Sequence, residues 1–258
     1  MNNDVVVAID GPAGSGKSTV ARAVAARTGL RYLDTGSTYR ALTLGLLRAG
    51  VPSDDAEAVA AAAPEVRLAL QLAETPGAAS RVLLDGVELA PEQLRSRAVN
   101  DAVSPVSAVS EVREHLVELQ RSAMTGGGVV AEGRDVGATV WPEAEVKVFL
   151  IASAAERARR RGGGGVSNGA NSSSDAGPDR PGPDSGEEGD GESAEAVARR
   201  DRLDSSRAAS PTRPGEGAVV IDTTDRPVSE IVDQVVQLIE AARTRTHAQA
   251  QAPPGRPR

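Results

Sequence analysis

Val5-Val6-Val7-Ala8-Ile9-Asp10, followed by Gly11-Pro12-Ala13-Gly14-Ser15-Gly16-Lys17-Ser18, decides the fold of this 258-residue chain. The first run is apolar and β-branched, as a buried strand is, and the second fits G-x-x-x-x-G-K-[ST] at every fixed position. Behind it, residues 17–28 read as a helix with Gly29 placed to end it. Strand, glycine-rich loop and helix in that order make the setting of a phosphate-binding loop. The glycines leave backbone N–H groups facing a polyphosphate, Lys17 reaches the outer phosphates, and the Ser18 hydroxyl can ligate the accompanying magnesium. The helix N-terminus adds positive potential. The implied ligand is a nucleoside triphosphate.

Composition narrows the chemistry. There is no cysteine, so there is no disulfide framework, thiolate metal site or thiol nucleophile. Two histidines, His115 and His247, argue against a histidine metal centre or a Ser-His-Asp triad. No basic leader precedes the first apolar run and no stretch reaches membrane-spanning length, so the expectation is a soluble, cytoplasmic protein with no membrane partner. The net charge of −7 is local in origin. Residues 162–193 carry Asp175, Asp179, Asp184, Glu187, Glu188, Asp190 and Glu192 against Arg180 alone. An acidic chain is a poor nonspecific binder of nucleic acid. Tyr32 and Tyr39 are the main candidates for stacking on a base.

Along the chain, a second strand is expected at 30–33 and a helix at 39–48, with Gly50 and Pro52 beyond it. Asp54 and Glu57 supply a D-x-x-E start to an alanine-rich helix. Residues 66–72 alternate as a half-buried strand does, and Asp85-Gly86 between 81–84 and 87–89 signals a hairpin. Helical texture returns at 91–99 and 109–124. Strands are expected at 129–131, 146–151 and 218–222, and an amphipathic helix at 228–242. Strands separated by helices imply an α/β fold of the P-loop NTPase class. It would have a parallel sheet with helices on both faces, a small antiparallel β insert and a mobile lid. In such sheets ligands lie at the carboxyl ends of the strands, so the phosphate loop, Asp34 and 132–135 should share one cleft.

The organisation expected is one phosphate-loop domain over 1–245. Its core comprises 1–35, 125–155 and 215–245, with a region carrying the β insert at 36–124 and a lid at 156–210. Residues 162–193 are low in complexity and read as disordered, and 246–258 as a disordered tail. Arginine clusters flank the acidic stretch, with Arg157, Arg159, Arg160 and Arg161 before it and Arg199, Arg200, Arg202 and Arg207 after it.

A phosphate loop names a donor and leaves the acceptor open. No N-K-x-D guanine signature is present. Arginines and acids with no evident structural task remain: Arg40, Arg113, Arg134 beside Asp135, Arg200, Asp204 and Arg207. Phosphoryl transfer between two anions needs such charges, and arginine meets phosphate oxygens bidentately. Taken singly, each arginine is ordinarily a surface salt bridge. Arg134 and Asp135, ending a buried strand, are the exception.

Four segments carry a resemblance: I-D-G-P-A-G-S-G-K-S-T (9–19), L-D-T-G-S-T-Y-R-A (33–41), A-E-G-R-D-V-G (131–137) and R-R-D-R-L-D-S-S-R-A-A-S-P (199–211). With these the chain resembles the bacterial cytidylate kinases over nearly its whole length, apart from the acidic stretch and the tail. The resemblance implies transfer of the ATP terminal phosphoryl group to CMP or dCMP, with Mg2+, in a monomer. It implies that Gly11 to Ser18 and Thr19 hold ATP, with Arg157 and Arg161 in the lid over it. Arg40, Arg134 and Arg207 would grip the acceptor phosphate, and Ser104, Arg113 and Asp135 would read the cytosine edge. Arg200 and Asp204 would meet the sugar, and Thr35 and Tyr39 would line the pocket. Lys17, Arg134, Arg200 and Arg207 would carry the catalysis.

Ser104 also reads as a helix cap, Arg113 as a solvated helix residue and Tyr39 as a core or rim residue. A same-fold kinase for UMP, AMP or another small acceptor remains open, as does a nucleotide-binding regulator without transfer activity. Two departures from the family stand out. Ser37-Thr38 replaces a small-then-apolar pair, and the lid carries the long acidic run. With both arginine arms kept, trimming residues 163–191 to a short linker is expected to leave turnover within a few-fold. A loss on the order of a hundredfold would show that the run takes part in closure.

Overall fold

Strand β1 (Val6–Asp10) is buried along its whole length, and its alternation sorts the core into two layers. Val5, Val7 and Ile9 face one cluster; Val6 and Ala8 face another. The computed structural model describes residues 5–162 and 212–250, with the backbone alone at 161–162 and 246–250. The sheet continues with β2 (Arg31–Asp34), β6 (Val129–Gly133), β7 (Val146–Ile151) and β8 (Val219–Asp222). The order is β2-β6-β1-β7-β8 and every pairing is parallel. Helix α1 (Lys17–Thr28) and the last helix, α8 (Val228–Ala250), cover the first face, where Val20, Val24, Ile231, Val235 and Ile239 meet Val7, Ile9, Val148 and Leu150. Met124, Val136 and Val140 cover Val6, Ala8, Leu33 and Ala131 on the other. This is the α/β frame that the sequence predicts, and the carboxyl ends of β1, β2 and β6 open on one side.

Between β2 and β6 lies the rest of the α/β architecture. Helices α2 (Thr35–Arg48) and α3 (Ala56–Ala62) lead through a 3-10 turn (Ala63–Glu65) to an antiparallel sheet. That sheet comprises β3 (Leu68–Gln71), β4 (Arg81–Leu84) and β5 (Val87–Glu88). Helices α4 (Pro91–Leu94), α5 (Arg97–Val106) and α6 (Ser110–Met124) return the chain to β6. Asp85 (φ 52°) and Gly86 (φ 79°) both adopt positive φ, as a two-residue primed hairpin turn requires. The insert packs Val82, Leu84 and Leu89 against Ala41 of α2.

Several expected boundaries move. Helix α2 starts at Thr35, not 39, because Asp34 caps it by accepting from the Ser37 N–H. Helix α3 is capped by Asp55, whose carboxylate accepts from Ala58 N–H, and not by Asp54. The helix expected at 91–99 is two helices, broken where Ser96 caps α5, and α5 runs on through Pro105 in its last turn. Helix α8 continues beyond 242 to Ala250. A π-turn at Val136–Val140, with no counterpart in the sequence reading, follows β6. Of the expected lid (156–210) and disordered tail (246–258), 163–210 and 251–258 lie outside the described residues, while 246–250 continue α8 as helix. Helix α7 (Ala154–Gly162) covers the start of the segment expected to form a lid.

The Ser37-Thr38 departure has a structural counterpart. Thr38 is fully buried, its hydroxyl donates to the Thr35 carbonyl at 2.8 Å, and it accepts from the Gln120 amide of α6 at 2.8 Å. Thr38→Ala should therefore strand a buried amide and cost about 1–3 kcal/mol. Adding Gln120→Leu should recover part of that loss in urea unfolding, and strictly additive losses would refute the coupling.

Candidate active site

Asp10 is the last residue of β1, and the next four carbonyls of the phosphate loop each accept from a different cation. Arg134 reaches the Gly11 carbonyl at 3.4 Å, Lys17 that of Pro12 at 2.8 Å, Arg157 that of Ala13 at 3.3 Å and Arg160 that of Gly14 at 3.4 Å. These cations come from the turn after β6, from α1 and from α7. Gly14 lets α7 come this close at Arg157, since a Cβ there would lie 2.7 Å from the Arg157 carbonyl oxygen. Ser15 is buried, Gly16 forms the left-handed N-cap of α1, and Ser18 and Thr19 face solvent in its first turn.

Arg160 and Thr223, not predicted as site residues, brace this loop. Arg160 donates to the Thr223 carbonyl at 2.8 Å and hydroxyl at 3.0 Å, and Thr223 donates to the Ser15 carbonyl at 3.0 Å. Glu156 holds both Arg159 and Arg160 by charge-assisted bonds. The hydrogen bonds from these arginines keep the Glu156 carboxyl well below the usual carboxylate range.

A cleft of about 800 Å³ runs from Lys17 and Ser18 past Thr35, Tyr39, Arg40, Ser104, Arg113, Arg134 and Asp135. The sequence-predicted residues that are described thus share one cavity or its phosphate-loop rim. Arg113 pairs with Asp135 in an interior ion pair, with 6% and 8% of the two side chains exposed. That burial excludes the solvated reading of Arg113. Its guanidinium lies 5.6 Å from the Tyr39 ring centroid, within cation–π range. Arg40 donates to the Leu94 carbonyl at 3.1 Å and the Asn100 side chain at 2.6 Å. Ser104 sits inside α5 and caps nothing. Thr35 donates to the Glu132 carbonyl at 2.7 Å. The Arg161 side chain, Arg200, Asp204 and Arg207 lie outside the described residues.

Two buried acids lie at the carboxyl ends of β1 and β6. Glu132 accepts from the Tyr32 hydroxyl at 2.5 Å and hydrogen-bonds the Ser18 hydroxyl. Burial pushes its carboxyl up, helped by the Asp34 charge and opposed by Lys17. Tyr32 is therefore a buried donor beneath Arg22, 5.1 Å from its ring centroid, and not the stacking platform expected. Asp10 accepts from Val136 N–H at 2.8 Å and Gly137 N–H at 2.7 Å. Both acids stand inside quoted motifs, and an acid closing an apolar strand was the available signal.

The Asp10 carboxyl is pushed up to about 7, chiefly by burial, with the two amides opposing. In the unfolded chain it ionises near its ordinary value of 3.8. Across that interval the folded state keeps a proton that the unfolded state releases, so the group's contribution falls as pH rises and levels off above about 7. The Tm of wild type minus that of Asp10→Asn should therefore fall from about pH 4.5 to about pH 8. A value that rises over this range would contradict the assignment.

The family model described as cytidylate kinase matches residues 7–176 and 184–241. A cytidylate kinase from Mycolicibacterium paratuberculosis is 44% identical over 240 residues, covering 93% of this chain and 96% of that protein. One from Corynebacterium glutamicum is 41% identical over 245 residues, covering 94% and 97%. A bifunctional pantoate ligase/cytidylate kinase from a Synechococcus species is 44% identical over 233 residues, covering 90% of this chain and 40% of its own length. With a phosphate loop and a buried Arg113–Asp135 pair lining one cleft, the chain belongs to the cytidylate kinase family.

Proposed function

We propose that this chain transfers the terminal phosphoryl group of ATP to CMP or dCMP, giving ADP and CDP or dCDP. The observation that carries the proposal is the single cleft holding both the phosphate loop and the buried Arg113–Asp135 pair. The loop from Gly11 to Ser18, with Thr19 behind it, binds the ATP phosphates. Lys17 follows the charge that shifts between β and γ oxygens, and Arg157 and Arg161 close over the donor.

On the acceptor side, Arg40 and Arg134 hold the monophosphate with Arg207, while Arg200 and Asp204 meet the sugar. Thr35 and Tyr39 line the pocket. The Asp135 carboxylate, fixed by Arg113, accepts from the exocyclic amine of cytosine, with Ser104 beside it. Uracil presents a carbonyl at that position and is repelled. The oxygen donors at the loop fit magnesium: the exposed Ser18 hydroxyl is oriented by the Glu132 carboxylate, and the ATP phosphates complete the set. When bound, the ion neutralises charge on the β and γ phosphates. Positioning and arginine electrostatics carry the in-line step, with no enzyme nucleophile.

An ADP-release assay against CMP, dCMP, UMP, AMP and GMP tests the proposal. Turnover with CMP and dCMP well above the others is expected. Silence across the panel with ATP binding intact would overturn it. Arg134→Ala should lower kcat/KM by on the order of a hundredfold or more in a folded protein, as loss of a transition-state donor does. Wild-type kcat/KM would remove Arg134 from the catalytic set.

A further inference from the structure

The buried carboxylate of Asp10 touches no part of the cleft, yet its two oxygens take the two amides that directly follow Arg134 and Asp135. We infer that Asp10 is a positioning residue for acceptor selectivity, setting the height and orientation at which the Arg134–Asp135 turn meets the acceptor. The inference rests on the acceptor roles proposed above for those two residues.

The geometry has few degrees of freedom. Adjacent amides bound to the two oxygens of one carboxylate fix both the distance and the rotation of the turn. The turn is closed from its far side by its own backbone, with Thr139 N–H donating to the Asp135 carbonyl at 2.8 Å and Trp141 N–H to that of Val136 at 2.7 Å. Arg134 reaches back from it to the Gly11 carbonyl, one residue beyond Asp10. A ring of contacts thus runs from Asp10 through Val136 and Arg134 to Gly11. It places the acceptor-reading turn and the donor loop on the same residue.

A merely structural filler at this position need not be charged. Asp10 is 3% exposed, and a buried carboxylate is costly where an apolar residue would occupy the space without that penalty. Only an ionised carboxylate accepts from both amides. Asparagine offers one acceptor and turns an N–H toward the other amide, so one end of the turn must move away. A displacement of that kind, small as it is, is the sort that alters alignment at a reacting centre.

The test is a steady-state comparison of wild type, Asp10→Asn and Asp135→Asn at about pH 8, where the Asp10 carboxyl, with its value near 7, is mostly ionised. For Asp10→Asn, KM for CMP should rise on the order of tenfold, and the CMP-over-UMP ratio of kcat/KM should fall by a similar factor, while KM for ATP changes by less than about threefold. A lowered Tm with both the CMP KM and the ratio unchanged is what a structural role gives, and it would overturn the inference.

If Asp135→Asn erases the preference for CMP and Asp10→Asn does not, the inference fails and the acceptor assignment stands. If Asp135→Asn leaves the preference intact, the acceptor assignment falls and the inference with it. Should Asp10→Asn not fold, Gly137→Ala decides. A Cβ there would stand 3.1 Å from Lys147 Cγ and 3.3 Å from Ala8 Cβ, tight enough to press the turn against β1 beside Asp10. The same loss of selectivity supports the inference, and unchanged selectivity in folded Gly137→Ala overturns it.

Discussion

Strand β1 has a parallel neighbour on each edge and a packed layer over each face, so the chain leaving it at Asp10 can only turn out over the carboxyl edge of the sheet. That topological confinement puts the phosphate loop where it is. The same edge receives the ends of β2 and β6, because the registers Asp34↔Glu132 and Asp10↔Gly133 bring all three strands to a stop at one level. Donor loop, Asp34 cap and Arg134–Asp135 turn are therefore neighbours by strand register, before any side chain is considered.

Packing so many ionisable groups at one edge has an electrostatic cost. Asp10 and Glu132 are each 3% exposed. Burial works against ionisation of both, and Lys17 is a counter-charge to each. Backbone amides relieve Asp10, while hydroxyls of Tyr32 and Ser18 relieve Glu132. Two acids of similar burial are thus satisfied by different chemistry. One is tied to the main chain of a turn and the other to side chains that line the cleft. Arg113–Asp135 is a third solution, a direct ion pair lining the cleft. Pairs of this kind fix orientation more than they add stability.

The parallel sheet was legible because its strands are short, β-branched and bounded by glycine or acid, and the hairpin because Asp85-Gly86 admits few other conformations. The four motifs placed most of the cleft. What escaped depends on partners remote in sequence. Thr35-Gly36-Ser37-Thr38 has poor helix propensity, and α2 begins there because Asp34 caps it and because Thr35 and Thr38 find buried partners in Glu132 and Gln120. Val136-Gly137-Ala138-Thr139-Val140 carries no periodicity that announces a π-turn. Arg113, flanked by Glu111 and Glu114, has the texture of a solvated helix face; its burial is set by Asp135, 22 positions away. Arg160 was visible as one of a cluster, but nothing local distinguishes it from Arg159, which projects into solvent.

The contact between Arg134 and the Gly11 carbonyl has a thermodynamic corollary. One guanidinium is shared between the strand that leads to the acceptor turn and the first peptide of the donor loop. A ligand that draws it away from Gly11 changes the hydrogen-bonding of that peptide, and a ligand that reorganises the peptide changes how readily the guanidinium is released. Linkage makes those effects equal in both directions. On the acceptor role proposed for Arg134, coupling between the two substrates would then run through one shared arginine, without any movement of domains.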